Sequence, residues 1–275
     1  MRPPAVILVC HQHDQLDSVG LASWLAATMH LAGIVLIAGD HARQWRVARR
    51  EIARRGMLSF LDAVAFRIYA RLRLSRGNTT WTSAELQRLR ARYPVSLDGI
   101  PSVVVDNPND PRAREFIAGL APDLVIARCK FILKPEVFEL ARFGTYALHP
   151  GICPEYRNAH GCFWALTRRD LDRVGMTLLR IDRGIDTGPV LLQATYPFDE
   201  VRESHHVIQG RVVFENLDRI GHTLLAVARG ECPPPIDTAG RASAEWGQPR
   251  LSSYVRWKLA AHRDRRRLAR QPAVS

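Results

Sequence analysis

Lysine is nearly absent from this sequence. Three lysines occur among 39 basic residues, so 39 − 3 = 36 are arginines, and against 27 acidic residues the formal net charge is +12. Cysteine is also scarce, because the five cysteines are scattered and none forms a Cys-x-x-Cys pair. This pattern argues against a disulfide framework and a zinc ribbon, and it indicates a reducing compartment.

Low-complexity tracts and internal repeats are absent as well. Of the 275 residues, 47% are hydrophobic and 24% are charged, which is the composition of a globular chain rather than a disordered or collagen-like one. A chain of this length forms one large domain, or one domain with an appendage, and it can fold without disulfides or metal ions.

Long hydrophobic runs are missing too. The first apolar run, residues 5–10, is too short for the core of a signal peptide. Residues 19–38 approach the length of a membrane span, but Ser23, Thr28 and His30 interrupt them and their second half is β-branched. They predict a helix followed by a buried strand, with Gly33 as the break between them. We therefore expect a cytoplasmic protein.

Short apolar segments of strand length alternate with helical segments. The predicted strands are residues 5–10, 34–38, 102–105 and 123–127, and the predicted helices are residues 15–31 and 111–120. Asp110 stands where the second helix needs an N-cap, just before a proline. Uninterrupted apolar strands separated by helices are typical of an α/β protein whose open, mostly parallel sheet carries helices on both faces.

Residues 41–76 interrupt this alternation with ten arginines and a row of apolar side chains at helical spacing. The row consists of Leu58, Leu61, Ala65, Ile68 and Leu72. Two interpretations are open. We favour a stripe that packs on the sheet beneath a solvated arginine face. Alternatively, this basic amphipathic segment makes a peripheral contact with an anionic membrane or an acidic partner.

The last 45 residues begin with a proline-rich stretch and end in a basic cluster. Between them, Leu251, Tyr254, Val255 and Leu259 mark one face of a predicted helix that could dock on the core. Arginines crowd residues 263–267, but no nucleic-acid recognition motif accompanies them. We therefore expect no specific nucleic-acid partner.

Polar and special residues are densest between residues 146 and 189. His149 follows a predicted strand and precedes Pro150-Gly151, which places it in a loop. Asp186 lies in the turn between two further predicted strands. Loops that follow parallel strands are where open α/β sheets bind ligands. A carboxylate at Asp186 could orient His149 and set its tautomer.

The order of these motifs resembles the 10-formyltetrahydrofolate-dependent formyltransferase family. The motifs are His149-Pro150-Gly151 with Pro154, Tyr156 and Arg157, then Gly175-Met176-Thr177, then Asp186-Thr187-Gly188. The resemblance covers about residues 100–195, and residues 1–40 by pattern alone. It implies a Rossmann-like, formyltransferase-like catalytic domain at residues 1–230, with residues 41–98 as a variable helical insertion. Residues 231–275 would then be a proline-rich linker and a basic helical tail.

The resemblance also implies a reaction and a set of site residues. A formyl group would pass from N10 of the folate to an amine through a tetrahedral intermediate. His149 would assist the oxyanion and the proton transfers, and Asp186 would hold His149. Residues similar to the family's pterin pocket fall into two groups. They are Phe131, Ile132 and Leu133 in one segment, and Asp182, Gly184 and Ile185 in the other.

One residue departs from the family pattern. The family carries an asparagine two residues before the histidine, and Ala147 stands there in this sequence. Loss of one oxyanion donor typically costs about 2.7–4 kcal/mol in the barrier. Another donor could substitute, with Asn158 and His160 the nearest candidates, or the chemistry has changed, or the protein binds without catalysis. We favour a rewired active site, because His149 and Asp186 are both present.

The acceptor amine is constrained mainly by what is missing. Residues 10–14, after the first strand, lack the glycines of a phosphate-binding loop, and the tail is too short for an added β-barrel. Both observations disfavour a purine precursor and a tRNA. We therefore expect a small-molecule amine, such as an amino sugar or an amino-acid-derived amine.

Overall fold

A computed structural model describes the backbone of residues 2–39 and 41–270, and side chains throughout except at residues 41–51, 54 and 55. The strands are β1 (Ala5–His11), β2 (His30–Ile37), β3 (Ser102–Val105), β4 (Leu124–Arg128), β5 (Thr145–His149), β6 (Arg157–Asn158), β7 (Gly175–Arg180), β8 (Val190–Thr195) and β9 (Glu245–Trp246). The helices are α1 (Ala22–Thr28), α2 (His41–Tyr69), α3 (Ser75–Arg92), α4 (Pro111–Leu120), α5 (Pro135–Phe138), α6 (Gly161–Thr167), α7 (His205–Phe214), α8 (Leu217–Ala228) and α9 (Leu251–Leu268). Two π-helical turns, Leu16–Leu21 and Ala70–Leu74, precede α1 and α3.

Seven strands form one sheet in the order β3-β2-β1-β4-β5-β7-β8. The strands from β3 to β5 are parallel, and β7 and β8 add an antiparallel edge. Alternate residues of β1 enter two separate hydrophobic cores, since Val6 and Leu8 belong to one and Ile7 and Val9 to the other. The sheet is therefore covered on both faces, and the predicted α/β class is confirmed.

Asp110 is the N-cap of α4, as the sequence predicted. Its carboxylate accepts the backbone N–H of Arg112 at 2.9 Å, and Pro111 occupies the first helical position. The cap stabilises the start of the helix that connects β3 to β4.

Gly33 does not break the chain between helix and strand, contrary to the prediction. The first helix ends at Thr28, and β2 already begins at His30. Gly33 lies inside β2, where a Cβ atom would come within 2.6 Å of Leu120 Cδ1 and 2.9 Å of Phe116 Cζ. The glycine therefore permits close packing of α4 on the sheet.

The segment predicted to be an insertion is largely helical, but its predicted stripe does not pack on the sheet. Helix α2 bends at Gly56, whose φ is +80°, and its next turns bury Ala63 and Phe66. Leu58 and Leu72, by contrast, are 84% and 74% exposed. The favoured interpretation, a stripe packed on the sheet, is therefore wrong. The aromatic ring of Phe66 takes the buried position instead, among the rings of neighbouring helices.

Helix α9 docks on the core through part of the predicted face, since Leu251 and Tyr254 pack there. Tyr254, Trp257 and Ala261 are buried, whereas Val255 and Leu259 are exposed. The start of α9 is fixed to α2, because the carboxylate of Asp62 accepts hydrogen bonds from the backbone N–H and hydroxyl of Ser252. Within the described residues, no helix is both long and apolar enough to cross a membrane.

Candidate functional site

The site is built around His149, the last residue of β5. The side chain is buried, and its Nε2 atom lies 2.8 Å from the carbonyl oxygen of Tyr156. Its Nδ1 atom lies 3.4 Å from Oδ2 of Asp186, in the loop between β7 and β8. The structure thus brings together the histidine and the carboxylate that the sequence paired.

Both ring nitrogens of His149 therefore face oxygen atoms. A neutral imidazole donates from one nitrogen only, so a ring protonated on both nitrogens is the form that can donate to both oxygens. The Asp186 carboxylate faces Nδ1 and orients the ring. The arrangement suits a residue that holds a proton and later returns it.

Asp186 is held in a constrained conformation. Its φ is +50°, in the left-handed region that most side chains avoid. The same Oδ2 atom that faces His149 accepts the backbone N–H of Asn158 at 2.8 Å. One residue earlier, the carbonyl of Ile185 accepts a hydrogen bond from the guanidinium of Arg157 at 2.8 Å. Strand β6 therefore fixes the loop that carries the carboxylate.

Asn158 and His160, the two candidate substitute donors, differ in their surroundings. Asn158 donates one side-chain amide hydrogen to the carbonyl of Trp246 at 2.7 Å. The second hydrogen of the same amide is not used in that bond and could donate to an oxyanion. The Nδ1 atom of His160 is buried and has no hydrogen-bond partner among the described residues. Burial, reinforced by the charge of Lys130, lowers the pKa of His160 to about 3, so its ring is neutral at neutral pH.

The C-terminal segment reaches the site through β9, which sequence reasoning missed. Strand β9 pairs in parallel with β6, and the indole of Trp246 stacks between Tyr156 and Trp164 at ring separations of 5.8 and 4.9 Å. The Trp246 Nε1–H also donates to the carbonyl of Glu155 at 2.8 Å. A strand of two residues carries no periodic signal, so no sequence pattern predicts this pairing.

A buried ion pair supports the other side of β5. The Nε atom of Arg128 lies 3.0 Å from Oδ1 of Asp17, and its Nη1 donates to the carbonyl of Leu148 at 2.9 Å. Burial raises the pKa of Asp17 to about 6, against the opposing charge of Arg128. The pair joins the first helical turn to the strand residue before His149. Its members are 111 residues apart, which hid it from a sequence pattern.

The first segment predicted to line the pterin pocket follows β4. Leu133 is buried in the core, Phe131 is half-buried, and Ile132 exposes 54% of its surface. An exposed isoleucine beside an aromatic ring presents apolar surface to a ligand.

The second pterin segment is already tied within its own loop. Oδ1 of Asp182 accepts the backbone N–H of Gly184 at 2.9 Å and the hydroxyl of Thr187 at 2.8 Å. The Gly184 N–H and the Ile185 carbonyl therefore both have partners within the chain. No group of three or more metal-ligating side chains occurs in the part of the chain that the structure describes.

Known proteins share both this sequence region and this fold. Residues 84–220 match the model of the formyl transferase family. A methionyl-tRNA formyltransferase from Chlorobium chlorochromatii is 33% identical over 94 residues, which cover 34% of this chain and 30% of that protein. One from Aromatoleum aromaticum is 35% identical over 99 residues, covering 34% and 31%. The matched segment thus spans about a third of the length of these curated relatives.

Solved structures extend the likeness of the fold over most of the chain. A phosphoribosylglycinamide formyltransferase from Anaplasma phagocytophilum has a TM-score of 0.55 at 12% identity, covering 90% of this chain and all of that one. A sugar N-formyltransferase from Shewanella sp. has a TM-score of 0.53 at 14% identity, covering 92% and 86%. Residues 84–220, about half of the chain, therefore belong to the formyl transferase family.

Proposed function

We propose that this protein is an N-formyltransferase that moves a formyl group from 10-formyltetrahydrofolate to a small-molecule amine. The observation that carries the proposal is the pairing of His149 with Asp186, both inside the segment that matches the family. Five free cysteines, three of them buried, support a reducing cytoplasm as the place of action.

The folate would supply the formyl carbon, and this chain would bind, orient and move protons. The exposed Ile132 and the half-buried Phe131 fit an apolar ring system at the proposed pocket. His149 takes up the proton that an attacking amine loses, while Asp186 stabilises the charged ring. The role of the missing asparagine falls to the remaining amide hydrogen of Asn158 or to the ring of His160.

The acceptor we propose is an amino sugar or an amino-acid-derived amine. A sugar N-formyltransferase shares the fold over most of both chains, which supports that class. Strand β1 ends at His11, and residues 12–14 after it contain no glycine, which a phosphate-binding loop would need, so the chain does not favour a purine precursor.

A second candidate function is binding without catalysis. The specific observation in its favour is Ala147, which packs against the apolar side chains of Cys153, Leu179 and Val190. That surface offers no hydrogen-bond donor to an oxyanion, so the site would bind a folate but transfer its formyl group slowly or not at all.

Two measurements test these alternatives in order. The first is a calorimetric titration of the protein with a non-transferable 10-formyltetrahydrofolate analogue, for which we expect saturable binding. The second follows formation of tetrahydrofolate from the natural donor while a panel of amines is screened. Binding with turnover supports the transferase, and binding without turnover on any amine supports the second candidate. A folded protein that binds no folate contradicts both.

A further inference from the structure

Exposed apolar side chains are concentrated on two neighbouring helical segments. Twelve large hydrophobic residues are exposed in the described part of the chain, and eight of them lie between residues 57 and 72 or on α9. We call seven of them the α2/α9 face; they are Met57, Leu58, Leu61, Ile68, Leu72, Val255 and Leu259. The eighth, Leu268, lies on the other side of α9 because it follows Leu259 by nine residues. Single exposed apolar residues are common on soluble proteins, but such a concentration marks an interaction surface.

The fold does not need this face. Helix α2 holds α9 through other residues, since the rings of Phe66 and Tyr69 each lie 5.4 Å from the ring of Tyr254. The buried positions Ala63 and Phe66 lie on the opposite side of α2 from the exposed row. The apolar row is therefore surplus to the core and is available to a partner.

Arginines border the α2/α9 face on both helical segments. The exposed ones are Arg67, Arg71, Arg73, Arg76, Arg256, Arg263, Arg265, Arg266 and Arg267, of which Arg265 pairs with Asp199. The acidic residues among residues 57–76 and on α9 are already engaged, because Asp62 binds Ser252 and Asp264 forms an ion pair with Arg169 at 2.8 Å. The surface is thus apolar along its rows and positive at its margins, which is the pattern of a helix that lies in a membrane interface.

A positive pocket adjoins the face at the start of α9. Its volume is about 350 Å³, and Arg168, Arg250 and Arg256 line it together with Trp164 and Trp246. The Arg250 guanidinium lies over the Trp164 ring at 5.2 Å, and its Nε atom is buried with no hydrogen-bond partner in the part of the chain that the structure describes. The lining contains no acidic side chain. Such a pocket has the size and charge to accept a phosphate group.

We propose that the α2/α9 face docks this protein on a membrane of anionic phospholipid. The apolar side chains enter the boundary between headgroups and acyl chains, and the flanking arginines contact lipid phosphates. The arginine pocket holds one headgroup phosphate, and Arg256 connects it to the face because Val255 and Leu259 stand beside it on the same helix. This docking goes beyond the proposed transferase activity and does not depend on it.

The charge and the apolar row together favour lipid over other occupants. A nucleic acid would engage the arginines through phosphates but would leave leucines such as Leu58 in water. A second copy of the chain would bring together two molecules that each carry a net charge of +12. An anionic bilayer offers acyl chains to the apolar row and phosphates to the arginines.

The test is sedimentation of the full chain with vesicles. One set contains phosphatidylcholine alone, and the other contains phosphatidylglycerol as roughly a third of its lipid. We expect strong binding to the anionic vesicles only, weakened by added salt. The triple variant L58Q/L61Q/L72Q should reduce the partition coefficient at least tenfold, because it removes the apolar row. The matched control is Ile236→Gln, which alters an exposed apolar residue in a different part of the chain.

A second variant tests the pocket. R168Q/R256Q should bind anionic vesicles several-fold more weakly, whereas Arg112→Gln on the exposed side of α4 should change binding little. Unfolding midpoints confirm that each variant is folded. Absence of binding to anionic vesicles, or equal binding by the triple variant and the parent, overturns the proposal. It is equally overturned if light scattering shows a dimer that the triple variant abolishes, because the face would then join two copies.

Discussion

Asp186 accepts the backbone N–H of Asn158 at 2.8 Å, through the same oxygen that faces His149. Because Asn158 belongs to β6, and β6 is paired with β9, the position of the carboxylate depends on a strand near the end of the chain. The candidate catalytic pair is therefore one part of a longer chain of contacts that runs from His149 to Trp246.

The first prediction concerns His149 itself. Replacement by alanine should abolish formyl transfer while the dissociation constant for the folate analogue changes only a few-fold, because the ring is proposed to move protons rather than to bind the donor. Asp186→Asn should lower kcat less, since the ring would remain but lose its charge partner. Parallel measurement of kcat and analogue binding checks both variants. Unchanged turnover in His149→Ala would contradict the proposed mechanism.

Ala147 offers a gain-of-function experiment. Ala147→Asn restores the amide that the family pattern contains. If the missing donor limits the rate, kcat should rise by about a hundredfold or more. Ala147→Leu is the matched control, because leucine has a similar shape and donates no hydrogen bond. Both variants place a larger side chain beside Cys153 and Leu179, so unfolding midpoints should accompany the rates. Equal effects of the two substitutions would show that the donor does not limit catalysis.

Trp246 is predicted to be a positioning residue. Trp246→Ala removes the ring that stacks between Tyr156 and Trp164 and releases β6, so kcat should fall about ten- to a hundredfold. The KM for the acceptor should change little, because the indole supports the loop rather than a substrate. Trp246→Phe keeps a stacked ring and should recover most of the rate. A purely structural role would lower stability in both variants without this difference in kcat.

The ion pair between Asp17 and Arg128 should dominate local stability. Asp17→Asn leaves the buried guanidinium without its counter-charge, and we expect the free energy of unfolding to fall by about 3–5 kcal/mol. Urea denaturation measures the change. The double variant D17N/R128M should be more stable than Asp17→Asn alone, because it removes the orphaned charge as well. Additive losses in the two single variants would contradict this coupling.

Buried histidines predict a loss of stability in mild acid. Burial lowers the pKa of His205 well below its ordinary value. Below about pH 6.5, the unfolded chain therefore binds a proton at His205 that the folded chain does not bind. The free energy of unfolding should therefore fall as the pH drops, by up to about 1.4 kcal/mol per pH unit for this group. His160 acts in the same direction. Asp17 opposes them below about pH 6, because the folded state retains its proton.

Urea midpoints between pH 7.5 and 5.5 check this dependence. His205→Phe suits the surrounding rings of Phe66, Phe163 and Tyr254, and it should flatten the slope with pH. An identical slope in the variant and the parent would show that another group carries the effect.

The sequence predicted those parts of the molecule that have a local or periodic signal. Buried strands such as Leu124–Arg128, and the cap at Asp110, follow from apolar runs and from helix-end chemistry. The pairing of His149 with Asp186 came from motif order, because His149 ends one strand and Asp186 lies in the turn between two others.

The failures share one physical cause, which is competition between elements distant in sequence. Leu58 and Phe66 are both apolar, and only the tertiary packing of three other rings decides that Phe66 is buried. The contact between Trp246 and Tyr156 likewise joins segments about 90 residues apart through shape alone. A sequence pattern confined to neighbouring residues therefore predicts neither the burial of Phe66 nor the contact of Trp246 with Tyr156.

The parallel pairing of β6 with β9 has a consequence for synthesis of the protein. A ribosome synthesises the chain from its N-terminus, so all of residues 84–220 are made before Trp246. The sheet can form early around its own strands, but the loop bearing Asp186 gains its final support only from the late-emerging strand. The nascent chain would form its sheet before the loop bearing Asp186 becomes ordered. Premature termination between α8 and β9 would release a sheet that folds without an ordered catalytic loop.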